Sequence, residues 1–192
     1  MKKINKRKAL CVFCGSKNGN SFIYREAAKE LGIKLAKNKI KLIYGGGSLG
    51  LMGELSKSVH RNKGAVLGII PKHLLEIEGI NKNHGEVVIT DDMHIRKKTM
   101  YDNSDVFLCL PGGIGTLEEI SETITWFQLG ISKKPIFFLN INGYWDNFKV
   151  LLEQFVATEF ANKNLLNYFN FFESVEALLP VLLNSFDIDS NE

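Results

Sequence analysis

Two side chains in this sequence stand in settings suited to chemistry. The first is Glu119, which closes the run Pro111-Gly112-Gly113-Ile114-Gly115-Thr116-Leu117-Glu118-Glu119. A glycine turn there joins the apolar stretch Val106–Leu110 to a helical pattern over 116–129. Glycines admit positive φ and let a ligand approach the backbone, and the first N–H groups of a helix have no partner within it. Phosphate suits such a cradle. The helix dipole favours an anion by roughly 0.3–1 kcal/mol when exposed and about 2 when partly buried, so the turn holds a ligand without explaining a reaction. Thr116-x-x-Glu119 also spells a capping box, with mutual side-chain to backbone bonds. Both roles are compatible, because a carboxylate at the third helical position beside a phosphate cradle stands where an attached ribose would lie.

The second is Arg96, in Asp91-Asp92-Met93-His94-Ile95-Arg96-Lys97-Lys98-Thr99-Met100, where a strand gives way to a helix. It follows Met93 by three residues and precedes Met100 by four, which puts it on a face with two apolar side chains, as a site cation would be. A solvated basic face shared with Lys97 and Lys98 is the other reading. His94 has no His-Glu-x-x-His or Cys/His partner pattern, and no metal is expected.

Two further glycine turns end strand-like runs: Cys14-Gly15-Ser16, and Tyr44-Gly45-Gly46-Gly47-Ser48-Leu49-Gly50-Leu51-Met52-Gly53. Three such turns facing one crevice favour a nucleotide. Gly45-x-Gly47-x-x-Gly50 matches the dinucleotide fingerprint, yet the next run, Ala65–Lys72, offers no carboxylate for the ribose hydroxyls. Neither turn continues into Lys-Ser or Lys-Thr, as a triphosphate-gripping loop would. A nucleoside monophosphate fits better than NAD or ATP.

What must position these groups is a series of short apolar runs alternating with helix-length segments from Ala9 to Asn184. Strands this apolar, each followed by a helix, predict a doubly wound, Rossmann-like α/β fold: a mostly parallel sheet covered on both faces, with ligands beyond the carboxyl ends of its strands. At 192 residues, 45% hydrophobic and 23% charged, the chain suits one domain, expected over 9–184 between a basic tail (1–8) and a polar tail (185–192). The segment Pro71–Gly85 reads as a surface loop or as a flap over the pocket. On the helix over 116–129, Leu117, Ile120, Ile124 and Phe127 form one stripe; Trp126 and Leu129 fall outside it and predict a homodimer. Cys11, Cys14 and Cys109 are expected to be packing residues, although Cys11-x-x-Cys14 has redox spelling. A net charge of +3 does not advertise nucleic-acid binding, and the longest apolar runs fall far short of a membrane span, so a cytoplasmic protein is expected.

The combination of these motifs resembles the LOG (Lonely Guy) family, cytokinin riboside 5′-monophosphate phosphoribohydrolases often labelled as possible lysine decarboxylases. The similarity runs from about Leu10 to Leu182. It includes Cys14-Gly15-Ser16, the glycine run from Tyr44 to Gly53, Met93-His94-x-Arg96-Lys97, and Pro-Gly-Gly-x-Gly-Thr-x-x-Glu at Pro111–Glu119. The resemblance implies cleavage of the N-glycosidic bond of adenosine-type 5′-monophosphates, AMP or cytokinin nucleotides, to free base and ribose 5-phosphate. It implies Arg96 and Glu119 as catalytic residues and no cofactor. Gly112, Gly113, Gly115 and Thr116 would bind phosphate, supported by Ser16 and Gly46, with Met93 and Lys97 also at the substrate. Molybdenum-cofactor carriers resemble the family too, which leaves a non-catalytic carrier as the alternative; the presence of both Arg96 and Glu119 favours the enzyme.

Overall fold

The computed structural model describes residues 8–79 and 84–188. Seven strands, β1 (Ala9–Phe13), β2 (Lys41–Tyr44), β3 (Val66–Pro71), β4 (Glu86–Thr90), β5 (Val106–Cys109), β6 (Ile136–Leu139) and β7 (Phe169–Phe172), form one sheet in the order β4-β3-β2-β1-β5-β6-β7. Every pairing is parallel. The helices are α1 (Phe22–Lys37), α2 (Gly50–Arg61), α3 (Leu75–Glu78), α4 (Met93–Asp102), α5 (Ile114–Gln128), α6 (Asp146–Ala157) and α7 (Val175–Ile188). The expected doubly wound α/β architecture is therefore present.

Its continuous apolar strands follow from two-sided burial. Alternation along β1 sends Leu10 and Val12 into a core with α1, α2 and α7, and Ala9, Cys11 and Phe13 into a core with α4, α5 and α6. In β1, β5 and β6 every residue is buried, so neither face of these central strands carries the polar half of an alternating pattern, while the edge strand β4 is largely exposed. The same alternation separates the two cysteines of the C-x-x-C spelling. Cys11 packs in the second core and Cys14 in the first, and burial pushes both thiols well above their ordinary range. They are packing residues.

The chain winds outward from β1 to β4 and then crosses back to β5 on the other side of β1. Loops leaving β1 and β5 thus part in opposite directions, which opens a crevice at the carboxyl ends of these strands. Backbone bonds sew its walls together: Gly15 N–H donates to the Pro111 carbonyl at 3.1 Å, and Leu51 N–H donates to the Gly15 carbonyl at 3.0 Å.

The C-terminal boundary differs from the sequence expectation. Rather than ending at Asn184, α7 continues to Ile188, because Phe186 extends the inward stripe of Leu178 and Leu182 and is only 7% exposed. Ser185 is buried as well, its hydroxyl donating to the Leu182 carbonyl at 2.7 Å. Of the expected basic tail, Lys8 alone lies within the described residues; of the Pro71–Gly85 segment, 80–83 lie outside them, and Lys72–Leu74 form a 3-10 turn leading into α3. If residue 186 belongs to the core, Phe186→Ala should lower unfolding free energy by about 3 kcal/mol in urea titrations. A change below about 0.5 kcal/mol, the range of surface substitutions, would return this segment to a frayed tail.

Candidate active site

A cavity of about 470 Å³ occupies the crevice, walled by the turns after β1, β2 and β5 together with α3, α4, α5 and the loop after β6. That volume lies within the range of small-molecule sites. At one end stands the N-terminus of α5. Gly113 is its cap residue, extended and with no side-chain capping bond, so the capping box does not form: Thr116 is the third helical residue and Glu119 lies in the second turn. The helix begins two residues before the expected start because the glycine turn itself supplies the entry. Its first N–H groups have no acceptor within the helix, and Gly113, Ile114, Gly115 and Thr116 all line the cavity.

Two of these glycines have no crowding reason to be glycine. A Cβ at Gly113 or Gly115 would meet nothing within 4 Å. Both residues line the cavity, and without side chains they leave bare backbone open to a ligand there. Gly112 differs, since a Cβ there would collide with the Thr116 side chain.

Next to the cradle, Arg96 and Glu119 meet in near-complete burial, 5% and 7% exposed. Arg96 reaches Glu119 from α4 because its helix face carries Met93 and Met100; its Nη1 donates to Met93 Sδ at 3.5 Å, and Met100 is 1% exposed. Arg96 Nη2 lies 3.0 Å from Glu119 Oε1, an ion-pair distance at angles outside those of a hydrogen bond, so Oε1 and Arg96 Nε both keep unspent bonding capacity. Burial pushes the Glu119 carboxyl up to about 7 against the lowering pull of Arg96, with Glu118 and Glu78 adding like charge. Glu78, from α3, brings a second carboxyl into the cavity, likewise raised by burial and opposed by Arg96, and its Oε2 is buried without a hydrogen-bond partner.

Of the residues singled out from the sequence, Ser16, Met93, Arg96, Gly112, Gly113, Gly115, Thr116 and Glu119 line one cavity. Gly46 and Lys97 do not. Gly46 has φ +81° and packs against the Ile69–Ile70 backbone and side chain, so its glycine serves the turn. Lys97 is turned away, pairing with Glu118 and, at 3.1 Å, with Glu122, and it straps α4 to α5. Glu78 brings the Pro71–Gly85 segment to the cavity, in keeping with the flap reading of that segment, whereas Gly45 and Tyr144 were not singled out as site residues. Gly45 leaves the room that the Arg96 guanidinium fills, since a Cβ would fall on Nη2 and within 3.1 Å of Met52 Sδ. The letters of the glycine run do not tell these two roles apart.

A parallel α/β sheet with an uncapped helix N-terminus at its switch point and a buried carboxyl–guanidinium pair beside it defines an α/β protein of enzymatic type. The family model described as "Possible lysine decarboxylase" matches residues 52–182. A probable cytokinin riboside 5′-monophosphate phosphoribohydrolase of Arabidopsis thaliana, LOG6, is 48% identical over 159 residues, covering 83% of this chain and 79% of that protein. Another of Oryza sativa, LOGL3, is 48% identical over 153 residues, covering 80% and 72%. The chain belongs to the LOG family. In fold it is similar to the molybdenum cofactor binding protein of Rippkaea orientalis, with a TM-score of 0.70, 20% identity and coverage of 94% and 98%. The family model's description would call for pyridoxal phosphate on a lysine, and the cavity does not fit it: among the described residues its lining holds a single lysine, Lys17, on the exposed loop after β1.

Gly45→Ala should expel the arginine from its slot and lower kcat/KM for the nucleotide at least about 100-fold while circular dichroism stays unchanged, the scale on which misplaced catalytic groups cost rate. Unchanged kinetics would show that the slot tolerates a methyl group.

Proposed function

We propose that this protein hydrolyses the N-glycosidic bond of adenine-type nucleoside 5′-monophosphates, cytokinin riboside 5′-monophosphates and AMP among them, releasing the free base and ribose 5-phosphate. The observation that carries this reading is the buried Arg96–Glu119 pair lying directly beside the uncapped N-terminus of α5. The names of the relatives support it independently.

The 5′-phosphate is held by the amides of residues 113–116, with Thr116 and Ser16 at its edge. That anchoring sets the ribose over Glu119. Breaking the C1′–N bond leaves the electron pair on the base and builds positive charge on the ribose, which an ionised carboxylate stabilises. Glu119 then orients a water molecule and accepts its proton as the oxygen bonds to C1′; the departing base takes a proton from solvent, to which Glu119 afterwards returns its own. A positioned base of this kind contributes roughly 10²–10⁴ in rate. Arg96 holds the carboxylate in place and, through Nε, has a donor left for the substrate. A carrier that only binds has no use for a carboxyl poised to change charge near neutral pH, so this pair favours turnover over the carrier alternative.

Leu129 and Ile131 stand 67% and 62% exposed beyond the α5 C-terminus, near half-buried Trp126, and they support a homodimer through this end of the molecule. No helix among the described residues is long and apolar enough to cross a membrane. We place the enzyme in the cytoplasm, where nucleotide substrates are made.

The direction of the pH dependence follows from the role. Since Glu119 acts ionised and its carboxyl is pushed up to about 7, kcat/KM for AMP and for isopentenyladenosine 5′-monophosphate should rise through an apparent pKa near 7. That lies above the roughly 6 of the substrate phosphate. Glu119→Gln should abolish base release, followed by chromatography, with the fold retained. Release by Glu119→Gln at a tenth or more of the normal rate would remove Glu119 from the mechanism.

A further inference from the structure

The loop after β6 contributes one side chain to the cavity, Tyr144, and the mechanism above leaves it unused. Its hydroxyl donates to the Gly112 carbonyl at 2.5 Å. This is a link between elements 32 residues apart, made at the residue that precedes the α5 cap.

The loop is built to aim that hydroxyl. Asn142 and Gly143 both take left-handed φ, 54° and 71°, which turns the chain sharply after β6. Asn140 fixes the turn by accepting from Trp145 N–H at 2.6 Å and donating to Asp146 Oδ1 at 2.7 Å. The tyrosine ring is then held edge-on between Tyr24 of α1, at 5.8 Å, and Trp145, at 5.1 Å. Two interlocked side-chain bonds and two aromatic contacts are more than an ordinary surface loop requires.

What the hydroxyl controls follows from peptide geometry. A trans peptide holds its C=O and the following N–H in one plane and pointing in opposite directions. Fixing the Gly112 carbonyl toward Tyr144 therefore fixes the direction of the Gly113 N–H, the first donor of the cradle. Gly112 has no side chain to hold this plane; Thr116 packs on one side of it, and the Gly15–Pro111 bond lies one residue earlier.

We infer that Tyr144 is a positioning residue for phosphate recognition: its hydroxyl pins the Gly112–Gly113 peptide so that the α5 amides converge on the 5′-phosphate. The inference rests on the phosphate placement proposed above. Because it concerns the phosphate and not the glycosidic bond, Tyr144→Phe should raise KM for AMP about three- to ten-fold, the span of one hydrogen bond, while kcat moves less than two-fold.

Calorimetric titration with ribose 5-phosphate separates this claim from the proposed reaction, since it needs no turnover. Tyr144→Phe should bind ribose 5-phosphate more weakly by the same factor as its KM rises and bind adenosine, which lacks the phosphate, as the unaltered protein does. A merely structural hydroxyl would weaken both ligands alike or lower the melting temperature without a change in KM, and either result overturns the inference. Unaltered protein that binds ribose 5-phosphate but releases no base would contradict the proposed reaction and leave the role of Tyr144 standing.

Discussion

Two opposed charges removed from water at the bottom of one crevice set the terms for the rest of this molecule. Burying an ion pair costs several kcal/mol per charge, and the attraction between the partners repays it only with good geometry and full hydrogen bonding. Arg96 and Glu119 have neither in full: their contact is close but poorly aligned, and Arg96 Nε and Glu119 Oε1 are left without hydrogen-bond partners. A pair arranged this way is a poor device for stability. It is a good one for keeping a carboxyl close to its titration point with a donor and an acceptor ready for a ligand, and the surrounding elements accommodate it.

That accommodation is spread over distant parts of the chain. The reversal of strand order at β1 opens the crevice, and backbone bonds from Gly15 to the turns after β2 and β5 keep its walls in register. Gly45 supplies the void that the guanidinium fills, and Met93 and Met100 bracket the arginine on its own helix. Lys97, turned outward onto Glu118 and Glu122, ties together the two helices that carry the pair. The uncapped N-terminus of α5 sits beside these groups because Glu119 lies little more than one turn into that helix.

The sequence disclosed the architecture well, for a physical reason: strands buried on both faces leave uninterrupted apolar runs, and β5 ends within one residue of the run Val106–Leu110 that predicts it. The buried place of Arg96 was legible from its spacing to two methionines, and the entry into α5 at the cavity from its glycines. What the letters could not separate was which glycine serves a ligand and which a turn; Gly45 and Gly46 are adjacent, and only the packing of Arg96 and Ile70 distinguishes them. The capping box failed for a related reason, because Gly113 already caps α5 and frees Thr116 and Glu119 to face inward. Glu78 reaches the cavity from the single-turn helix α3 and Tyr144 from the loop after β6, segments whose sequences carry no periodic signal, and tertiary contacts alone bring them there.

Burial, only partly offset by Arg96, raises the Glu119 carboxyl from the ordinary glutamate range to about 7. The direct test is a carbon-13 NMR titration of carboxyl-labelled glutamate, with the Glu119 resonance assigned by its loss in Glu119→Gln. The expected midpoint is about 7. A midpoint at the ordinary glutamate value near 4.3 would contradict it, since the carboxyl would then be a permanently charged partner of Arg96 and not a group poised between two states.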